Sequence, residues 1–320
     1  MKQSRPAPDI WLFVCIVSLL AIGMVMVYSA GAVLAFHEYG DSYYFVKRQL
    51  LFAGLGLVAM YFTARTDYRI WRKYAKVVLL ICLALLVAVL IPGIGVVRGG
   101  ARSWLGISSF GIQPSEFMKL GMILFLSQWL SRPDYDISSF TRGLLPPLGL
   151  MGLAFGLIML QPDLGTGTVM MGASMLIVFT AGARMKHLGL LALSGAAGFA
   201  ALIAAAPYRL QRITAFLDPW SDPLGAGYQI IQSLYAIGPG GLAGLGLGMS
   251  RQKYSYVPEP QTDFIFSILA EELGFIGGMT VLGLFLVLVW RGMRVAITIG
   301  YLWQFACSRY CRNGGGTGRY

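Results

Sequence analysis

The chain has 320 residues, of which 57% are apolar and only 12% charged, and it carries a formal net charge of +11. A soluble globular chain carries about a quarter charged residues, so this balance excludes a water-soluble enzyme. The positive charge reads as membrane topology and attraction to anionic lipid, and no nucleic-acid partner is expected.

In chain order, six windows contain no ionisable group: Ile10 to Ser29, Val77 to Val97, Leu144 to Pro162, Leu164 to Ala183, Leu188 to Tyr208 and Leu273 to Trp290. Each is long enough for a helix to cross roughly 30 Å of hydrocarbon. Two further spans are expected at Leu50 to Ala64, extended upstream by Tyr43 to Val46, and at Phe117 to Leu130, which carries Lys119 near its start. Lipid leaves every backbone amide needing an internal partner, and these runs lack period-2 alternation. The expected fold is therefore all-α, a polytopic transmembrane helical bundle of about eight spans.

Placing the N-terminus in the cytoplasm puts thirteen lysines and arginines inside and eight outside, with Arg65 to Lys76 the strongest inner cluster. Cytoplasmic connections are then short. The outer side holds a medium loop from Arg98 to Pro114 and a long extracytoplasmic loop, Arg209 to about Asp263, before the last span. Long structured loops over a bundle are usually functional. Its composition predicts short helices and turns packed on the bundle. The run Gly240 to Gly248 lacks a preceding strand and a Lys-Ser/Thr ending, so its glycines are read as close backbone packing and not as a nucleotide loop. No pair of matching inverted halves is visible. The four cysteines show neither metal-site spacing nor a disulfide framework.

Ionisable groups inside or at the rim of a membrane are costly and each needs a reason. Ser115 can cap the fourth span, Glu116 suits its positive end, and Lys119 lies three residues on, on the same face. The pair is either a buried structural ion pair or part of a polar cavity. Asp163 is either a helix cap or a carboxylate facing the same cavity as Glu116. Arg98 and Arg102 flank Gly99-Gly100-Ala101 beside Trp104, and arginine is suited to forked contacts with phosphate oxygens. Either Thr262 or Asp263 can cap the helix bearing Glu271 and Glu272. Asp263, at the outer boundary, can instead serve as a general base on a sugar hydroxyl. Glu271 and Glu272 point about 100° apart, so they are expected not to share one role, with one facing the bundle core.

These segments resemble a known family. Met26-Val27-Tyr28-Ser29-Ala30, Lys47-Arg48-Gln49, Gly100-Ala101-Arg102-Ser103-Trp104, Gln113-Pro114-Ser115-Glu116-Phe117-Met118-Lys119, Gln161-Pro162-Asp163-Leu164-Gly165-Thr166, Gly225-Ala226-Gly227-Tyr228-Gln229 and Glu259-Pro260-Gln261-Thr262-Asp263-Phe264-Ile265-Phe266 are similar, in family order, to the SEDS proteins (shape, elongation, division and sporulation). Ser250-Arg251-Gln252-Lys253 resembles the division and sporulation branch more than the elongation branch. The resemblance implies a peptidoglycan glycosyltransferase of the bacterial cytoplasmic membrane. Such a protein polymerises lipid II, an undecaprenyl-pyrophosphate-linked disaccharide-pentapeptide, with a class B penicillin-binding protein as partner. By position, Asp263 matches the essential loop carboxylate, read as the base, while Arg102, Glu116, Lys119 and Asp163 match residues lining the polar cavity. No soluble cofactor is implied, and a divalent cation (Mg2+ or Mn2+) is a candidate aid. A lipid II flippase and a non-catalytic scaffold are the alternative readings.

The family pattern continues beyond Arg291 to Arg294 with two more spans, ten in all. Here Val295 to Cys307 is too short to cross. The expected organisation is a membrane domain over residues 1–298 and an atypical tail over 299–320, frameshifted or disordered.

Overall fold

The structure, a computed structural model, describes residues 9–98, 101–107, 110–132, 135–204, 211, 214–254 and 260–313. The chain packs as two units, Met1–Ala64 with Ala206–Tyr320, and Arg65–Ala205.

The first unit begins with α1 (Ile10–Tyr39). Asp9 caps it by accepting from the amides of Trp11 and Leu12, and Gly40 ends it in the left-handed conformation at φ 69°. The helix therefore outruns the ion-free window by ten residues, because nothing before Gly40 stops it. After a turn held by Asp41, α2 (Tyr44–Arg65) follows with no buried residue at all. The rings of Tyr28 and Tyr43 stack across this hairpin at 5.2 Å. The long loop contains α8 (Tyr228–Ile237) and two short 3-10 turns, as its composition predicted. The Gly225-Ala226-Gly227 turn is shaped by Asp222, whose carboxylate accepts from the amides of Gly225 and Ala226. A side chain on Gly227 would collide with the Pro219 carbonyl.

The last helix, α9 (Ile265–Asn313), starts eight residues before its expected span and is interrupted at Gly274 (φ 67°, ψ −164°). Its short first part buries Ile268 and Leu269 against Met26 and Ala30 of α1. At the other end of α1, Arg291 grips Asp9 at 2.7 Å, with both side chains mostly buried. The described backbone stays helical through Asn313, beyond the boundary drawn at residue 298.

In the second unit, α3 (Tyr68–Leu90) is capped by Asp67. It ends seven residues earlier than expected. Pro92 pushes Ile91 into an extended conformation (ψ 124°), and Gly95–Arg98 becomes β1. With β2 (Ala101–Ile107) and β3 (Phe110–Ile112) it forms an antiparallel sheet in the order β1-β2-β3, which an all-α reading did not include. Then come α4 (Pro114–Leu130), a π-turn at Phe140–Leu144, α5 (Leu145–Met159), α6 (Leu164–Thr180) and α7 (Met185–Ala204). Their core is built on Leu86, Met118, Met122, Met151, Ile158 and Met170. Small residues bring the helices close: a side chain on Gly121 would sit 3.2 Å from the Cys82 sulfur, and one on Gly167 would sit 3.1 Å from Phe155.

Among the described residues each of the eight stretches expected to cross contains a helix. Among the described residues five are long and apolar enough to do so by length and composition, namely α1, α2, α3, the π-turn with α5, and α9 through Thr298; α6 is a shorter apolar helix. The chain is a multi-pass membrane protein with a helical fold.

Candidate functional site

The predicted site residues divide between the units. In the second unit, the strand register places Val97 opposite Arg102 and Arg98 opposite Ala101, with an irregularity between Val96 and Val97. The side chain of Arg98 lies outside the described residues. That of Arg102 passes over Gly95, whose missing side chain leaves room beside the Val89 carbonyl. Among the described residues the Arg102 guanidinium has no hydrogen-bond or ion-pair partner, so its fork of donors is available to an anion.

Gln113, not Ser115, occupies the N-cap of α4, because Pro114 takes the first helical position. Ser115 is fully buried and its hydroxyl has no partner among the described residues, which corrects the expected cap. Lys119 and Glu116 do pair, at 2.8 Å, as their spacing predicted. The pair is not buried, however: the Glu116 side chain is 51% exposed and that of Lys119 24%. The first turn of α4 presents it outward.

Asp163 takes the capping role and makes a second contact besides. One carboxylate oxygen caps α6 by accepting from the Thr166 amide at 3.1 Å, and the other accepts from Gln113 Nε2 at 2.8 Å. The starts of α4 and α6 are thereby joined, which brings Gln113, Asp163, Glu116 and Lys119 to one end of the unit. Beside them Gln161 is fully buried and donates to the Leu86 carbonyl.

In the first unit, Asp263 belongs to the turn that precedes α9. The Phe264 carbonyl accepts from Ser267 and Ile268, so Phe264 is the capping residue and Asp263 stands one position outside the helix. Its carboxylate is exposed and has no partner among the described residues. The turn itself is fixed. Pro260 and Gln261 are buried, and Gln261 lies against Gly31 of α1, whose missing side chain would meet it at 3.2 Å. Residues 255–259, including Glu259, lie outside the described residues.

The region that sequence reasoning missed is the interruption of α9. The glycine-rich loop enters it as a strand would: Leu245 and Gly246 donate to the carbonyls of Glu271 and Glu272, while Phe275 and Ile276 donate to those of Gly241 and Leu242. Both broken helix ends are thus satisfied by one segment, as membrane burial demands. Glycine is obligatory at the crossing, since a side chain on Gly244 (φ 81°) would lie 2.2 Å from the Glu272 carbonyl. The reading of close packing holds for Gly240 and Gly244, whereas Gly241, Gly246 and Gly248 instead meet positive φ with no crowding.

Both glutamates are buried, at 1% and 0% exposure, and they enter one polar cluster, contrary to the expectation that they serve apart. The helix no longer turns regularly past them, and the loop wraps both. Glu271 accepts from the Ser250 hydroxyl and, at 2.8 Å, from the Arg251 amide. Glu272 accepts from the Ser29 hydroxyl of α1 at 2.7 Å and from Lys253 Nζ at 3.3 Å. Lys253, 6% exposed, also donates to the Gly248 carbonyl. The signal available in the sequence was an adjacent pair of glutamates, the seventh and eighth residues of a membrane helix, with no cation of its own within reach along that helix.

Among the described residues no group of three or more His, Cys, Asp or Glu side chains is placed to hold a metal ion. Of the three predicted carboxylates, Glu116 is engaged by Lys119 and Asp163 by Gln113 and Thr166, and only Asp263 is open.

Comparison with known proteins places the chain in a family. Residues 10–306 match the family of cell cycle proteins that groups FtsW, RodA and SpoVE. The chain is 58% identical over 297 residues to stage V sporulation protein E of Bacillus subtilis (strain 168), covering 93% of this chain and 81% of that one. It is 44% identical over 288 residues to a probable peptidoglycan glycosyltransferase FtsW of Nitrosococcus halophilus (strain Nc4), covering 90% and 74%. A solved peptidoglycan synthase complex that coordinates polymerization and crosslinking contains a chain of the same fold, with a TM-score of 0.70 at 31% identity, over 92% of this chain and 80% of that one. The rod shape determining protein RodA of Thermus thermophilus gives a TM-score of 0.62 at 27% identity, covering 92% and 76%. The chain belongs to the FtsW/RodA/SpoVE family, the SEDS proteins, as its motifs predicted.

Proposed function

We propose that the chain is a peptidoglycan glycosyltransferase that polymerises lipid II on the outer face of the bacterial cytoplasmic membrane. One observation carries the reading: Asp263 is held on an anchored turn, yet its carboxylate is exposed, caps nothing and is unpaired among the described residues. A carboxylate so placed is available as a general base. The acceptor GlcNAc hydroxyl gives its proton to Asp263 as its oxygen bonds to the donor's anomeric carbon. The bond from that carbon to the pyrophosphate oxygen breaks, and its electron pair leaves with undecaprenyl pyrophosphate. Arg102, with Arg98, offsets the charge on that leaving group. A divalent cation, Mg2+ or Mn2+, would take its ligands chiefly from phosphate oxygens and water, and would supply further charge neutralisation.

Glu116, Lys119 and Asp163 line the polar cavity that receives substrate. An exposed ion pair on the first turn of a membrane helix supports this, because ionisable groups at that depth face water-filled cavities and not lipid. The topology is eight crossings with the N-terminus inside, supported by the thirteen-to-eight distribution of basic residues. A class B penicillin-binding protein is the proposed partner, supported by the fold shared with a chain of a peptidoglycan synthase complex.

The test is polymerisation of labelled lipid II by the purified full-length protein with its partner. Asp263→Asn should lower the rate by about 10²- to 10⁴-fold, the span of general-base contributions, without loss of folding. Polymerisation at the unmodified rate removes Asp263 as the base. Loss of lipid II transport across vesicles with polymerisation intact would favour the flippase reading.

A further inference from the structure

Asp263 stands at the tip of a very short helix, residues 265–273, cut off from the rest of α9 by Gly274. A helix of that length is not stable alone, so something must fix its direction. Three ties do so. On one flank Ile268 and Leu269 pack on Met26 and Ala30 of α1. On another, the Ser233 and Ser267 hydroxyls meet at 2.5 Å, and Gly240 lies against the Ala270 carbonyl. At the far end, Glu271 and Glu272 are held by the Ser250–Lys253 segment, which closes the glycine-rich loop.

Lys253 ties the loop to the helix at that far end. Its ammonium reaches Glu272 of the helix and the Gly248 carbonyl of the loop, while its own amide is accepted by the Ser250 hydroxyl. Through Glu272 it is also linked to Ser29 of α1. We propose that Lys253 is a positioning residue for Asp263: it locks the glycine-rich loop into the break of α9 and so fixes the aim of the short helix that carries the base. This rests on the reading of Asp263 as the general base. The nine helical residues between the two ends span about 13 Å, so Lys253 acts through the helix and does not touch substrate.

The consequence differs from that of an ordinary stabilising contact. Freeing the short helix displaces Asp263 while the substrate's other contacts remain, so turnover falls and apparent affinity does not. Misplacement of a catalytic group by about 1 Å costs on the order of 10²-fold in rate.

The experiment uses the full-length protein in lipid nanodiscs with its partner, combining lipid II polymerisation kinetics with backbone hydrogen exchange. Lys253→Met should lower kcat by on the order of 10²-fold with KM changed less than about twofold. Exchange should rise selectively at residues 241–246 and 260–268. Lys253→Arg should restore both readouts in large part. If Lys253→Met folds poorly, the double variant Lys253→Met with Glu272→Gln removes the buried charge and should fold, yet retain the low kcat because the Gly248 tie is gone. Unchanged exchange at residues 260–268 in either variant overturns the proposal, as does an unchanged kcat or a loss confined to KM. Asp263→Asn at the unmodified rate removes the base reading alone. The exchange measurement then still decides whether Lys253 holds the helix.

Discussion

Among the described residues two Lys–Glu pairs form, and they differ in sequence spacing, distance and burial. Glu116 and Lys119 are three residues apart on one helix, meet at 2.8 Å and open to the surroundings. Lys253 and Glu272 are nineteen residues apart, meet at 3.3 Å and are almost wholly enclosed. The first pair is a product of helix geometry alone and exists wherever α4 forms. The second exists only because a loop threads an interrupted helix. Short-range pairing decorates an element, whereas the enclosed pair holds two elements in register.

The largest effect should come from closing the space that the loop passes through. Gly244→Ala puts a carbon 2.2 Å from the Glu272 carbonyl and 2.6 Å from the Gly274 amide, at a φ that side chains resist. It should cost about 4 kcal/mol or more, at the extreme of single substitutions. Gly248→Ala has a similar φ of 80° but open space, and should cost only the left-handed strain of roughly 1–2 kcal/mol. Thermal melting of the two variants in the same detergent checks the contrast; equal losses would mean that the loop does not cross the break as described.

Next in size is the enclosed pair itself. Lys253→Met leaves Glu272 buried without its cation, which should cost about 3–5 kcal/mol, whereas adding Glu272→Gln should recover most of it. A double variant no more stable than the single one would show that the carboxylate is already compensated by Ser29 and the Ser250 amide.

The same contrast explains what was legible in the sequence. The helices were, because ion-free apolar runs of sufficient length leave no other structure possible in lipid. The cap at Asp163 and the pairing of Glu116 with Lys119 were also legible, since both depend on spacings of three residues. The end of α3 was misplaced because Ile91 to Val97 continues the apolar run past Pro92, although the strand that claims it pairs locally, with partners at most ten residues away. The insertion at Gly274 was illegible for a deeper reason. Its bonds run from backbone to backbone, from Leu245 to Glu271 and from Ile276 to Leu242, far apart in the chain, and no side chain records them. The shared burial of Glu271 and Glu272 follows from that insertion, so regular helix geometry assigned them to different surroundings. Asp263 was legible as a candidate, and the finding that Phe264 takes the cap removes the capping reading alone.

A smaller effect is expected where α1 meets α9 near Asp9. Burial pulls the Asp9 carboxyl upward, but hydrogen bonds from the Leu12 amide, Arg291 and the Trp11 amide, with the charge of Arg291, outweigh it and hold it below the ordinary value of 3.8. A carboxyl depressed in the folded state contributes stability that is fully present above its unfolded value. The contribution fades as pH falls from about 4 through the folded value. Asp9→Asn keeps the cap and removes the ion pair, so it should flatten the acid limb of the melting profile and leave the limb above pH 5 unchanged in shape. An identical acid limb in the variant would show that the Asp9–Arg291 tie adds nothing.

The smallest effect on the fold should be at Glu116 and Lys119, and its smallness is what makes the pair informative. Were the pair buried, losing Lys119 would strand a carboxylate in low dielectric and cost about 3–5 kcal/mol. With half of the Glu116 side chain exposed, water and ions screen the attraction, and such pairs contribute about 0–1 kcal/mol. Lys119→Met and the charge exchange Glu116→Lys with Lys119→Glu should therefore melt within about 1 kcal/mol of the unmodified protein. Activity is a separate question. If the pair lines the cavity that receives lipid II, Lys119→Met should raise KM or lower kcat although stability is unchanged. The exchanged pair should not rescue it, because a substrate reads the absolute position of each charge whereas the fold reads only their proximity. Full rescue by the exchange, or unaltered kinetics in Lys119→Met, would place the pair outside the substrate's path. A melting loss of several kcal/mol would instead show that the first turn of α4 is enclosed in the membrane.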